Sequence, residues 1–328
     1  MAKQAFAPYV HTDITNTAKS TEWLIALLPM LIWSVYAFGA RVITLCAISA
    51  VLSLALDFAL RYFLYGTPIK TNIDIMTAVY GILCVFSMPV TVPLWIPMIA
   101  SVFVVIAKNI RVFRGKRLFN PYIFPTALLY LCFNAKMTCF TRPFAYFSAT
   151  SFSIDQRLID GYRVISPLQY MADGSVYEDG VLAQLYGYAS GNIGEIAVAA
   201  MLLSLLWLCM RKEADWKSSV AMLAPLLLLS LVFPSDDAES NYYAFSIILS
   251  GAIPFISVFA VNESNTVPIT KNGRLIFAFS CGVLIFLTRK IGNGFEWGYY
   301  IVLLMNIASP FIERFTKPAP LGSKKGKY

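Results

Sequence analysis

Residues 42–64 read VITLCAISAVLSLALDFALRYFL, broken by only two charged side chains, Asp57 and Arg61. The apolar core of a bilayer, about 30 Å thick, needs roughly 20 mostly apolar residues per helix. This run meets that need, and walking outward from it finds the pattern repeated. Ten segments qualify, near 23–38, 42–64, 74–90, 93–111, 120–136, 187–210, 216–233, 242–261, 273–290 and 296–315. Residues 1–22 are polar, hold Lys3 and Lys19, and contain no apolar stretch of the kind a signal peptide requires.

Composition leads to the same class. Of 328 residues, 58% are hydrophobic and 13% charged, with a mean hydropathy of +0.65. Soluble domains carry about 25% charged residues, and disorder needs low hydrophobicity with high charge. Neither fits, which leaves a polytopic, all-α membrane protein. One His in the whole chain argues against imidazole metal sites and a Ser-His-Asp triad. The six Cys, at 46, 84, 132, 139, 209 and 281, form no CxxC pair and read as scattered small apolar residues.

The Lys/Arg bias sets the orientation. With ten spans and both termini in the cytoplasm, 19 basic residues fall on the cytoplasmic side and 7 on the outer side. The net charge of +8 then faces anionic lipid head groups, and a nucleic-acid partner is not needed to explain it. The basic run 111–117 reads as a positive-inside stop signal, with contact to head groups or a cytoplasmic partner as the alternative. One connection is long: residues 137–186, placed outside, divide the helices five and five. The expected organisation is a cytoplasmic segment 1–22, a five-helix repeat 23–136, an outer loop 137–186, a second five-helix repeat 187–316 and a basic tail 317–328. The third and eighth spans both carry proline breaks, at Pro89 and Pro93 and at Pro254. Such breaks point to a central site, although proline is also common in membrane helices generally.

Intramembrane charges are costly and usually functional. Asp57 and Arg61 are spaced to pair with each other. Asp74 opens the third span, where a carboxylate suits the helix N-terminus. Glu195, in Gly191-Asn192-Ile193-Gly194-Glu195, is expected in the first turn of the sixth span. Its roles there are a cation site, an anchor for the outer loop, or a simple cap.

These residues add up to a resemblance. The chain resembles the RnfD component of the Rnf electron transport complex and, more distantly, the NqrB component of the Na⁺-translocating NADH:quinone reductase. The features run collinearly: Pro8 and His11; Asp74 and Gly81; Pro89 with Trp95; Ile106-Ala107-Lys108; Phe119-Asn120-Pro121; Gly191-x-Ile193-Gly194-Glu195; Gly273-Arg274-Leu275-Ile276-Phe277; and Leu303-Leu304-Met305-Asn306 with Pro310. The resemblance implies two five-helix repeats similar to urea-transporter-type channels. It implies an inner-membrane part of a redox pump that couples electron transfer between ferredoxin or quinone and NADH to Na⁺ or H⁺ movement. The implied partners are the other Rnf components (A, B, C, E and G). The implied cofactors are FMN, joined by a phosphodiester to a Thr ending Asp-x-x-Ser-Gly-Ala-Thr, and riboflavin. The candidate ion-pathway residues are Glu195, Asp74 and Asn120.

The chain departs from the family at the flavin motif. Asp160 and the following Pro-Leu agree, but the acceptor becomes Ser166, and Ser-Gly-Ala becomes Arg163-Val164-Ile165. Ser166 can form the same phosphodiester, and Arg163 can attract a phosphate without a covalent bond; bulky Val164 and Ile165 oppose an attaching enzyme. Ile75-Met76-Thr77 and Val261-Asn262-Glu263 also replace family residues. The expected function is therefore a redox-complex subunit that is not catalytic alone. The alternatives are a scaffold subunit of that complex without covalent flavin and a small-solute channel of the same fold.

Overall fold

The computed structural model describes residues 16–65, 74–112, 116–144, 163–172, 180–233, 240–291 and 294–317. Helix follows the apolar segments. In order come α1 (Asn16–Phe38), α2 (Arg41–Tyr65), α3 (Met76–Phe86) and α4 (Trp95–Asn109). A two-residue antiparallel hairpin follows, β1 (Arg111–Val112) with β2 (Lys116–Arg117), inside the basic run. Then come α5 (Ile123–Cys132), α6 (Asn134–Met137), α7 (Pro167–Ala172), α8 (Gly180–Tyr186), α9 (Val198–Met210), α10 (Trp216–Val232) and α11 (Ser240–Leu249). The last elements are α12 (Ile253–Phe255), which runs on into a π-turn at Ile256–Ala260, α13 (Lys271–Ile291) and α14 (Gly298–Thr316).

Apart from that hairpin, the described residues form an all-helical fold with several apolar helices, consistent with a polytopic membrane protein. Among the described residues, two helices are long and apolar enough to cross a membrane by length and composition, Thr17–Phe38 and Arg41–Phe63. A pair bent by 59°, Tyr243–Leu249 with Ile253–Ala260, makes a third. Outward faces are apolar: Ile32, Val51, Leu203 and Leu228 are all more than half exposed. Water does not favour such a surface, whereas lipid does. Inside, Trp23 meets Phe259 at 5.9 Å and Tyr122 meets Phe255 edge-on at 5.7 Å, so α1, the start of α5 and α12 share one core.

Helix packing repeats along the chain. α2 packs on α3 and α4, and α10 packs on α11 and α13. α4 packs on α5, and α13 on α14, while the pairs α1·α9 and α5·α14 join the two halves. The seams use small hydroxyl residues. Ser49 donates to the carbonyl of Gly81 at 3.0 Å, and Ser53 to that of Thr77 at 3.3 Å. In the second half Ser219 donates to the carbonyl of Ser257 at 2.7 Å.

Both proline-marked spans are broken. α3 is only 11 residues long, about 17 Å at 1.5 Å per residue. The chain then runs buried and non-helical through residues 87–94. α11 ends at Leu249, and Gly251 (φ 62°) turns the chain into α12. A broken helix in an apolar interior frees backbone carbonyls, and each must find a donor. Arg41, fully buried, donates to the carbonyls of Val90 and Val92, each at 2.9 Å. Arg289 donates to the carbonyls of Ile247 (2.6 Å) and Ser250 (2.9 Å).

The sixth segment differs from expectation. Helix starts only at Val198, and residues 187–197 are irregular. The irregular stretch is held by backbone pairing, Ile193 N–H to Met88 O at 2.9 Å and Gly194 N–H to Phe86 O at 2.8 Å. A Cβ at Gly194 would collide with the Phe86 side chain, so this approach requires glycine. Backbone satisfied across segments leaves nothing to force helix here.

Arg41→Met should leave the Val90 and Val92 carbonyls unpaired, at about 1–3 kcal/mol for each buried group. The expected outcome is a lower thermal unfolding midpoint in detergent, with Arg41→Lys intermediate.

Candidate functional site

A cavity of about 220 Å³ lies where the irregular 187–197 stretch, the break at 250–252 and the start of α7 converge. Ser166, Gln184, Ser190, Asn192, Glu195 and Glu296 contribute to its wall. Its size is below the roughly 300–1,000 Å³ of a pocket that buries a drug-sized ligand. Glu195 is buried and its carboxylate is held on both oxygens. The Tyr299 hydroxyl donates to Oε1, and Asn192 Nδ2 donates to Oε2 at 2.7 Å. Asn192 Nδ2 also reaches the Tyr130 hydroxyl at 2.8 Å, and the Tyr130 and Tyr299 rings lie 5.6 Å apart. Glu296 faces Arg289 at 3.6 Å and accepts from Ala252 N–H at 3.1 Å. Two oxygens on the wall, Asn192 Oδ1 and Gln184 Oε1, are buried without a hydrogen-bond partner among the described residues. Unpaired oxygens beside buried carboxylates suit hard cations and water.

Glu195 does not cap the sixth helix. It sits in a turn three residues before Val198, the N-cap is Ala197, and no side chain bonds there. The tyrosine partners come from α5 and α14, far away in sequence, and no local spacing announces them.

Ser166 lines the same cavity and is 7% exposed. Its hydroxyl accepts from Gln169 N–H at 3.4 Å, and Gln169 Oε1 accepts from Ser166 N–H at 3.2 Å. With Pro167 as the first residue of α7, this is a reciprocal capping box. Arg163 is exposed, pairs by backbone with Thr141, and is not part of the cavity wall. Asp160 lies outside the described residues. A buried hydroxyl already serving as a helix cap does not fit a phosphodiester to FMN, whose attachment needs that oxygen free and approachable.

Asp74 belongs to a separate network, away from this cavity. Lys108 Nζ lies 2.9 Å from Asp57 and 2.8 Å from Asp74. Arg61 reaches both carboxylates at 3.0 Å, so the expected Asp57–Arg61 pair is present. Thr77 donates to Asp57 at 3.1 Å, and Asp74 also accepts from Met76 N–H at 3.1 Å at the start of α3, although the N-cap position itself is Ile75. Nearby, Glu263 is fully buried; Tyr80 donates to it at 3.0 Å and Arg117 donates to the Tyr80 hydroxyl at 2.7 Å. Two further pairs join distant segments, Lys19 with Glu213 at 3.5 Å and Arg211 with Glu22 at 2.7 Å. Asn120 is buried; its Oδ1 accepts from Tyr122 N–H at 3.2 Å, while Nδ2 has no partner among the described residues. The three ion-pathway candidates are therefore not brought together: Glu195 is on the cavity, Asp74 is in the charge network, and Asn120 precedes α5.

Comparison with known proteins covers nearly the whole chain. The family description NQR2, RnfD, RnfE matches residues 3–322. The chain belongs to that family. Among family relatives, the D component of an ion-translocating oxidoreductase complex from Stutzerimonas stutzeri is 28% identical, covering 92% of this chain and 91% of its own. The D component of a Na⁺-translocating ferredoxin:NAD⁺ oxidoreductase complex from Acetobacterium woodii is 28% identical, covering 98% and 95%. A further ion-translocating oxidoreductase D component, from Vibrio cholerae, is 28% identical over 97% and 98%.

Two outcomes follow for this family member. Lys108→Met breaks a buried charge network and should destabilise by about 3–5 kcal/mol in denaturant titration. Ser166→Ala should lose about 1 kcal/mol as a missing N-cap, with Ser166→Asp restoring most of it in the same assay.

Proposed function

We propose that this chain is a membrane-embedded subunit of a multi-subunit, ion-translocating oxidoreductase, and that ions enter or leave through the cavity at Glu195, on the outer side. The observation that carries the reading is the family match over residues 3–322, with relatives named as subunits of such complexes. The cavity supports it chemically: a buried carboxylate among polar side chains, at a junction of broken segments, is the usual build of a membrane ion site.

On this reading Glu195 takes up the ion, and the Tyr299 hydroxyl and Asn192 amide keep the carboxylate in place between ions. The partners are the other Rnf-type subunits and anionic lipid. The chain sits in the inner membrane with both termini cytoplasmic. Residues assigned to one side by the charge count do meet each other, as Lys19 with Ser264 at 2.8 Å and Thr141 with Arg163 by backbone. The ten segments are taken as two five-helix repeats, similar to urea-transporter-type channels. The matched seams of α2 on α3 and α4, and of α10 on α11 and α13, support that division.

Electron passage through flavin is part of the family reading, with FMN at Ser166 as its first form. The capping box at Ser166 favours a second form, in which this subunit serves the complex without covalent flavin. Fluorescence of the denatured, purified subunit tests the point. No covalent flavin is expected; a signal that disappears in Ser166→Ala would restore the first form. Ion uptake into liposomes carrying the whole complex, driven by reduced ferredoxin and NAD⁺, tests the main reading. Glu195→Gln should abolish uptake and Glu195→Asp should retain part of it. Solute flux through the lone subunit, without redox drive, would instead favour a channel.

A further inference from the structure

The last helix carries a buried stripe that starts at the cavity and runs on beyond it. Tyr299, Val302, Asn306, Ser309 and Glu313 are all buried. Their spacing of three and four residues puts them on one helix face. From Tyr299 to Glu313 the stripe rises 14 helical steps, about 21 Å along the axis. It starts at Tyr299, whose hydroxyl donates to Glu195, and ends at Glu313, which lies 3.7 Å from Lys317. Midway, Asn306 is 3% and Ser309 2% exposed. Both amide atoms of Asn306 and the hydroxyl of Ser309 have no hydrogen-bond partner among the described residues. Pro310 adds to this. It has no N–H, so it cannot supply the usual helical donor to the carbonyl of Asn306, four residues back.

Buried polar atoms are almost always paired, with protein or with ordered water. Three unpaired side-chain atoms beside a proline inside the helix therefore mark a binding position. Their chemistry selects the occupant. A bare cation would satisfy Asn306 Oδ1, the Asn306 carbonyl and Ser309 Oγ, but it would meet the Asn306 amide protons end-on. Water accepts from Nδ2 and donates to the oxygens, so it satisfies all of them.

We propose that the inward face of α14 holds buried water at Asn306 and Ser309 and conducts protons between Glu195 and Glu313. Each water or hydroxyl on the path accepts one proton and releases one, so the stripe itself is unchanged after each transfer. Asn306 orients the water, and the two carboxylates are the terminal proton acceptors and donors. This rests on the proposed function and sharpens it by naming the proton as the ion moved along this path.

The test uses the complete complex in liposomes, driven by reduced ferredoxin and NAD⁺. Lumen pH and radiosodium uptake are read together, and the redox rate is measured with a protonophore present. Asn306→Leu and the near-isosteric Ser309→Ala should each lose lumen acidification while keeping the uncoupled redox rate. Asn306→Gln and Ser309→Thr should recover acidification, which a purely structural role would not require. Acidification that survives Asn306→Leu and Ser309→Ala in an assembled complex overturns the proposal and leaves the function intact. So does redox-driven radiosodium uptake with no primary acidification. A wild-type complex with no redox-driven ion uptake of either kind overturns the functional reading and this inference with it.

Discussion

Backbone groups that lie in an apolar interior must be paired, and that requirement governs where this chain can be irregular. The structure breaks two segments at residues 87–94 and 250–252. In lipid alone such breaks would be prohibitive. They persist because two guanidinium groups reach into them: Arg41 at Val90 and Val92, and Arg289 at Ile247 and Ser250. Arginine suits the task because its planar fork presents several donors at once. The Glu195 cavity depends on the second of these. Arg289 holds the end of α11, Glu296 sits 3.6 Å from Arg289, and Ala252 N–H in turn bonds Glu296. Gly251 has to be glycine there, since its φ is positive and a Cβ would meet the Glu296 carboxylate.

Charge is handled the same way. Asp57 and Lys108 are almost fully buried, and each would be costly alone. Together with Asp74 and Arg61 they make a set of two acids and two bases, joined by Thr77. The same pairing rule operates at the π-turn. Asn262 accepts from Asp215 N–H at 2.9 Å and donates to Val258 O at 2.9 Å and Ser219 Oγ at 3.0 Å. The carboxamide does what a carboxylate could not, because it donates as well as accepts. The acidic group in this stretch is Glu263, one residue on, with Tyr80 and Arg117 around it.

Ser166 illustrates how a local motif and a tertiary setting can point apart. By position it is the residue that the family resemblance offers as flavin acceptor. By geometry it is the first half of a Ser-Pro-Leu-Gln capping box whose helix packs against α11. The capping pattern is readable in residues 166–169, and it is the one local signal of the competing role. Arg163 is exposed and does not line the cavity that Ser166 lines.

Much of this protein follows from residue order alone. The apolar runs favour helix, Pro89 and Pro93 fall in one break and Pro254 just after the other, the i, i+4 spacing of Asp57 and Arg61 makes their pair, and collinear motifs over most of the length carry family membership. Each depends on contacts within a few residues or on composition, which are local properties. Which distant groups meet is settled by packing instead. Glu195 with Tyr299, Lys108 with Asp57 and Asp74, Glu263 with Tyr80 and Arg117, and the non-helical path of residues 187–197 all arise across separations of up to 183 residues. Those pairings come from how the apolar segments pack and from the need to satisfy every buried polar atom at once. No stretch of sequence states that condition by itself.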